Sequence, residues 1–458
     1  MARSKNVKRG EQISVRSGAG GYVAAALAVM FLAALVSHIG YAVAAVAVCV
    51  SAWITVAVLA FRDRVVADGR FITRTGLMPR FASLFTGRRL RLRLCQIEQV
   101  ETMAVQRFKR GGSVFYAYRT TLRGRNAAFT VPSNRGGYGR MINAIFPKLA
   151  DDVLDNRSIE LRDHFTERQL VRRRAAASGI PRGDVLEGTF RSKRPVRERR
   201  SESMAVPIEP DPDKAAGLRK LANELRVAGF LVQSLETFRR AILLQPQNGW
   251  LLFEFGRCML SFAASERDNA LERRAFAIMR LAEQRAGADA DLLSRLGESY
   301  FHAGNWRRAA IVFRRSVETV GVTFRAVRGQ AEIALREGKF AHVIHNFSTA
   351  QSLTEMPALK RWANTEIEYF SRLNADEEYM ELEISRLNLI DTLQRLSAST
   401  LKIAVAGLFV ILGGTIIEEP TAADLGWAIS TISLIVWIGA KTFCGILSSR
   451  IPIDTVTE

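Results

Sequence analysis

The chain has 458 residues, room for two or three domains with cores of their own. Its 65 Lys and Arg outnumber 45 Asp and Glu, and the formal net charge of +20 favours acidic surroundings: anionic headgroups, nucleic acid or acidic protein segments. Cys49, Cys95, Cys258 and Cys444 lack metal-ligand spacing and argue against a disulfide framework, with Cys95 and Cys258 read as small core residues.

Residues 1–20 form a basic tail carrying Arg3, Lys5, Lys8, Arg9 and Arg16. Residues 21–60 contain no Lys, Arg, Asp or Glu, about twice the ~20 residues that one membrane-crossing helix needs. The break SHIG at residues 37–40 divides 21–61 into a hairpin of two spans. A cleaved signal sequence fits poorly, because a second apolar run follows at once. The small residues Ala24, Ala28, Gly40 and Ala44 would let the two helices pack closely.

Residues 62–165 change character. VFYAYRTTL alternates Val114, Tyr116, Tyr118, Thr120 and Leu122 on one face, as a half-buried strand does. RLRLCQIEQVETMAVQRF and AAFTV are further strands, and Tyr138, Met141, Ile142, Ile145, Phe146 and Leu149 then fall at helical spacing. A small α+β domain is expected. Directly after two spans, this order resembles the bacterial pleckstrin-homology-like domains of membrane proteins, and CQIEQVE resembles one of their strands. Just behind the second span, Leu77, Met78, Phe81, Leu84 and Phe85 lie beside Arg80, Arg88 and Arg89. That mixture suits either a headgroup boundary, with the three arginines on anionic lipid, or a buried part of the small domain.

Residues 166–212 are rich in arginine and poor in apolar runs, so a mobile basic linker is expected. It could lie on anionic lipid or act as a solvated spacer. Nucleic acid is disfavoured as a partner, since aromatics for base stacking are not interleaved with the arginines.

Residues 213–357 repeat at a period of 34. Leu293, Leu296, Gly297, Tyr300, Gly304, Ala309 and Phe313 in one copy match Leu218, Leu221, Ala222, Leu225, Gly229, Ser234, Phe238, Ala241 and Pro246 in another. Val327, Ala331, Ala334, Gly338, Phe347 and Ala350 form a later copy. A copy opened by Leu252, Phe255, Gly256 and Met259 departs from the pattern, with SFAASERDN lengthening its turn. The pattern resembles the tetratricopeptide repeat, four copies of which imply an all-α solenoid with a concave groove lined by the first helix of each repeat. Residues 358–400 read as a capping helix and a connecting helix. The stripe Tyr379, Leu382, Leu389, Leu393 and Leu396 packs on the cap or, alternatively, seeds a dimer.

Apolar runs at 401–417 and 426–447 form a second hairpin within 401–447, with Lys402 and Lys441 placed to snorkel to headgroups. Its turn is acidic through Glu418, Glu419 and Asp424, while Arg62 and Arg64 follow the second span. The charge asymmetry therefore puts both termini, including the tail 448–458, and the central domains in the cytoplasm.

Certain tetratricopeptide domains grip an acidic peptide end with a carboxylate clamp. The resemblance puts Arg219 and Asn223 on first-repeat clamp positions and Arg295 on one of the third. Glu254 stands where an Asn is expected and Asp291 where a Lys is expected, so the full clamp is not carried over. What remains is a mixed-charge groove of Arg219, Asn223, Arg257, Arg295, Arg325 and Arg328, with Trp250 and Phe253 as apolar anchor for a protein partner.

No catalytic grouping of Ser, His, Asp or Cys can be placed. His342 and His345 lack a third ligand, and GGYG at 136–139 is a turn before a helix rather than a phosphate loop. The reading is a multidomain membrane protein with neither cofactor nor metal. It is a bacterial inner-membrane scaffold recruiting a protein through its repeats, the alternatives being a membrane-organising or self-assembling protein acting on anionic lipid and, third, an enzyme of unrecognised type.

Overall fold

The computed structural model describes residues 12–16, 22, 26, 29–31, 33, 35–37, 39–77, 79–80, 83, 89–110, 113–125, 127–133, 136–191 and 210–447. Two compact units divide them. One comprises the described residues of Met1–Val15, Val66–Ile72 and Arg91–Ile367; the other comprises those of Arg16–Val65, Thr73–Leu90 and Glu368–Glu458.

In chain order, β1 (Ile13–Arg16) precedes the apolar helix α1 (Ala42–Arg62). Strands β2 (Arg64–Ala67), β3 (Phe71–Thr75) and β4 (Arg91–Arg93) follow, giving a four-stranded sheet in the order β1-β2-β3-β4. A second sheet is an antiparallel meander of β5 (Ile97–Arg110), β6 (Ser113–Gly124) and β7 (Ala127–Pro132). On β6 the alternation expected from VFYAYRTTL holds: Val114, Tyr118, Thr120 and Leu122 are buried and Tyr116 is half-buried. Helix α2 (Tyr138–Ile145) starts at Gly137, whose φ of 90° suits glycine, and buries Tyr138, Met141, Ile142 and Ile145.

Three short helices come next. The first, α3 (Asn156–His164), is capped by the Asp155 carboxylate, which accepts from the Ser158 amide at 2.8 Å. Helices α4 (Arg168–Ala177) and α5 (Gly183–Arg191) occupy the stretch expected to be a mobile linker. The reason lies in two residues a turn apart. Val171 and Ala175 are fully buried against Leu221, Leu225 and Phe230. The arginines of this run are engaged too: Arg174 pairs with Glu224 at 2.8 Å, and Arg168 and Arg172 lie over the Phe230 ring. The rest of the basic stretch, 192–209, lies outside the described residues.

Four helix pairs then stack: α6 (Pro212–Val227) with α7 (Leu231–Leu244), α8 (Gly249–Glu266) with α9 (Asn269–Arg285), α10 (Ala290–His302) with α11 (Trp306–Val320), and α12 (Phe324–Arg336) with α13 (Phe340–Leu353). The small residues of the repeat have a geometric cause. A Cβ on Gly297 would come within 2.6 Å of the Phe313 ring, and one on Gly329 within 2.3 Å. The departing second repeat is intact. Its extra residues lengthen α8 to Glu266 instead of lengthening the turn, and Asp268 caps α9. Cys258 is buried in the repeat core, as expected, but Cys95 is exposed, because it sits in a one-turn helix between β4 and β5 with no core face. His342 and His345 are both exposed on α13.

The stack is followed by α14 (Pro357–Ala375), α15 (Glu377–Ile416) and α16 (Pro420–Ile446). The connecting helix and the third apolar run are one continuous 40-residue helix, α15. Among the described residues three helices are long and apolar enough to cross a membrane: Val43–Arg62, Glu377–Ile416 and Pro420–Ile446. About half of the first expected span, 21–37, lies outside the described residues, Ala24 and Ala28 among them. Gly40 serves the turn, with φ of 100° and open space where a Cβ would be, and Ala44 is exposed; neither is a packing contact. Close packing joins α15 to α16, where a Cβ on Gly407 would meet Ser430 and one on Gly414 would meet Ala423. Behind α1, the buried Asp63 carboxylate accepts from Tyr22 at 2.9 Å and from the Arg74 fork at 2.7 and 3.0 Å.

Candidate functional site

The first helices of the repeats, α6, α8, α10 and α12, carry the residues expected to line a groove. Helix α3 packs against α6 and α10. Its sequence NRSIELRDH shows little amphipathic pattern, yet Asn156, Ser158, Ile159, Glu160 and Leu161 are all buried. Burying that many polar groups is tolerable only if each finds a partner.

Both ends of α3 find them. At its start, the Asn156 amide donates to Glu298 at 3.1 Å and its side chain donates to the Arg295 carbonyl at 3.1 Å. Arg325 donates to Glu298 at 2.8 Å, to Asn156 at 3.3 Å, and to the carbonyls of Asp151 and Leu154 at 2.8 and 3.1 Å. One turn on, Glu160 pairs with Arg226 at 2.8 Å and with Arg257. The small sheet adds contacts of its own: the Val114 amide donates to the Gly229 carbonyl at 2.8 Å, the Tyr118 hydroxyl to the Val227 carbonyl at 2.7 Å, and Lys109 pairs with Glu266.

Arg219 and Asn223, the first-repeat pair, converge on Glu254. Arg219 binds it through Nε and one Nη at 2.7 Å each and Asn223 donates to it at 2.7 Å, while Arg226 donates to the Asn223 side-chain oxygen Oδ1 at 3.1 Å. The acid standing at the Asn position of a clamp is therefore the hub of this network. Trp250 is half-buried; its indole donates to Asp289 at 2.8 Å, and Arg219 and Arg295 lie over its ring. Phe253, expected as an anchor, is a core residue only 1% exposed, because it points between the second and third repeats; it is not presented to a partner. Arg328 pairs with Glu332 at 3.1 Å and covers Trp362. Of the lipid-facing set, Arg80 and Arg89 are exposed and Arg88 lies outside the described residues.

The electrostatics follow the burial. Although desolvation pushes the Glu298 carboxyl up, His302, Arg325 and the Asn156 amide together pull it down to about 2. Desolvation lowers His164, on the last turn of α3, to about 4, so it is neutral at pH 7. Burial, with Arg157 and Arg295 alongside, pulls the Arg257 guanidinium down to about 9, which still leaves it a cation. Among the described residues no three His, Cys, Asp or Glu gather where a metal could be held. What the arrangement can do is hold a helix that offers an Asn and, four residues later, a carboxylate. The sequence reading missed Asn156, Glu160, Arg226 and Glu298. The available signal was the cap Asp155–Ser158, which marks a helix start in a polar stretch.

No family model matches the chain, and no curated protein matches it. Solved structures do. One is a thermophilic TPR protein of Thermus thermophilus, 16% identical over 34% of this chain and 83% of that chain, with a TM-score of 0.29. Another is the APC/C hetero-tetramer Cut9-Hcn1, 14% identical over 68% of this chain, with a TM-score of 0.30; the match spans about half, 52%, of that chain. The helical repeat stands on the pairing of α6 to α13 itself.

Proposed function

We propose that the chain is a non-catalytic, membrane-held scaffold of a bacterial inner membrane whose cytoplasmic repeats recruit a protein partner, and that α3 occupies the recruiting groove in cis. The observation that carries this reading is the pair of buried anchors on α3, Asn156 and Glu160, seated on groove residues Arg295, Arg325, Arg226 and Arg257. A groove that accepts one such helix from its own chain has the chemistry to accept another from a partner. The partner would displace α3 and supply a like carboxylate, since two buried arginines left bare are costly. Three helices of membrane-crossing length support the tether.

A self-associating or lipid-organising role is the second reading. Met103, Val105 and Phe108 on β5 favour it, each more than half exposed on a long strand. The test is co-purification from detergent extract of the full chain, of a chain loosened by Glu160→Gln, and of one carrying Arg219→Glu and Arg325→Glu. The scaffold reading expects the loosened chain to hold more of the same partner and the doubly changed chain to lose it. An identical set of partners on all three chains rejects the groove as the recruiting surface.

A further inference from the structure

A cavity of about 210 Å³ lies where α3, the inner face of β5 and β6, and helices α6 and α8 meet; Tyr116, Arg157, Glu160, Arg226 and Ser261 are among its lining residues. We propose that it binds a small phosphate-bearing anion. The inference is independent of whether the groove recruits a partner.

Charge is the first argument. Arg157, Arg226 and Arg257 cluster about Glu160, which already pairs with the latter two. Arg157, half-buried, makes no ion pair and no hydrogen bond among the described residues, so its charge has no local counterpart. Of the further acids, Asp155 caps α3 through Ser158, and Glu298 accepts from Arg325 and the Asn156 amide. Among the lining residues two guanidiniums, Arg157 and Arg226, stand against one carboxylate, Glu160, so the wall carries a net positive charge that suits an anion.

Unspent donors are the second argument. Arg226 is 93% buried, at 7% exposure, and two of its nitrogens bond Glu160 and Asn223. Its Nε is buried with no acceptor at all. The Tyr116 hydroxyl, at the same cavity, makes no hydrogen bond among the described residues, though it is not itself a buried atom. A buried donor without an acceptor is rare in a folded protein and marks the place of a missing one. Two guanidiniums and a phenol around one cavity form the donor set that phosphate oxygens take, with guanidinium forks matching its geometry. The volume admits the phosphate and a short stem.

The walls give the site a consequence. Arg157 belongs to α3 and Arg226 to α6, so a bound anion is shared by the helix in the groove and the groove itself. Occupancy would hold α3 in place.

The test uses the full chain in nanodiscs of neutral lipid, titrated calorimetrically with inorganic phosphate and with glycerol 3-phosphate, beside hydrogen exchange of α3. Saturable binding is expected, weakened about tenfold or more by Arg157→Gln and by Tyr116→Phe and unchanged by Arg173→Gln, with slower exchange of α3 in the ligand. Tyr116→Phe keeps the ring and its packing, so it remains informative if Arg157→Gln misfolds. Binding of glycerol 3-phosphate in neutral nanodiscs assigns a soluble ligand. Protection of α3 that requires phosphatidic acid in the nanodisc, and is lost in the same variants, assigns a lipid headgroup. Absence of both, or binding indifferent to both variants, overturns the site.

Discussion

Glu160 on α3 and Arg226 on α6 meet at 2.8 Å, each side chain only 8% exposed, and Arg257 shares the same carboxylate. A buried pair of this kind contributes little over an apolar one, but breaking it leaves charge stranded. Glu160→Gln is expected to lower unfolding stability by about 3–5 kcal/mol, read from denaturant midpoints. An unchanged midpoint would mean that water or another acid already solvates the two arginines.

Acid should loosen the same interface. His164 ordinarily titrates near 6.5, and burial holds it at about 4 in the folded chain. The unfolded chain binds the proton first on acidification, so stability falls as pH drops from 6.5 towards 4, by no more than about 3 kcal/mol. Glu298, held at about 2, adds a further loss of the same sign below pH 4.5. Hydrogen exchange of α3 at pH 7 and pH 5 checks this, and His164→Asn should abolish the upper window alone. Equal protection at both pH values would place His164 outside the packed interface.

Gly229 allows β6 to approach the turn between α6 and α7. Its φ is 83°, and a Cβ there would fall 2.0 Å from the Val114 carbonyl oxygen. Gly229→Ala should cost at least about 1 kcal/mol, because both the backbone and the contact oppose it. Gly217 on α6 faces open space, and Gly217→Ala should instead stabilise by roughly 0.5–1 kcal/mol. Thermal melts of the two variants should move in opposite directions.

Topology is open to reporters. Fusions after residues 200 and 458 should both report cytoplasm, and an insertion at Pro420, the first residue of α16 beside the acidic turn, should report the far side. A far-side signal from the fusion after residue 200 would reverse the arrangement.

The repeats were legible because their pattern encodes close approach. Gly297 and Phe313 sit where one ring fills the space that a missing Cβ leaves, and such pairs fix the spacing of the letters. Gly329, pressed against the same ring, falls outside the pattern, which aligns Gly297 with Ala331. The expected longer turn after α8 failed for a related reason: SFAASE carries no helix breaker, so the helix simply continues. Helix α4 was hidden by composition, since only Val171 and Ala175 anchor it among arginines. Helix α3 was hidden more deeply. Its buried face is polar, and periodicity in hydrophobicity cannot report a face whose partners are arginines on other helices. Arg257, Arg295 and Arg325 could be named from sequence, but not Arg226, nor that α3 packs on them.

The claim that α3 is an exchangeable occupant of the groove is tested most directly by complementation. A labelled peptide of residues 150–166 is titrated into the full chain and into its Glu160→Gln form, with helix content checked in both. The account predicts saturable binding to the variant at least about tenfold tighter than to the parent chain, where the resident helix competes, and loss of that binding on adding Arg325→Glu. Equal affinity for both chains, or none for the variant while it remains folded, would contradict it.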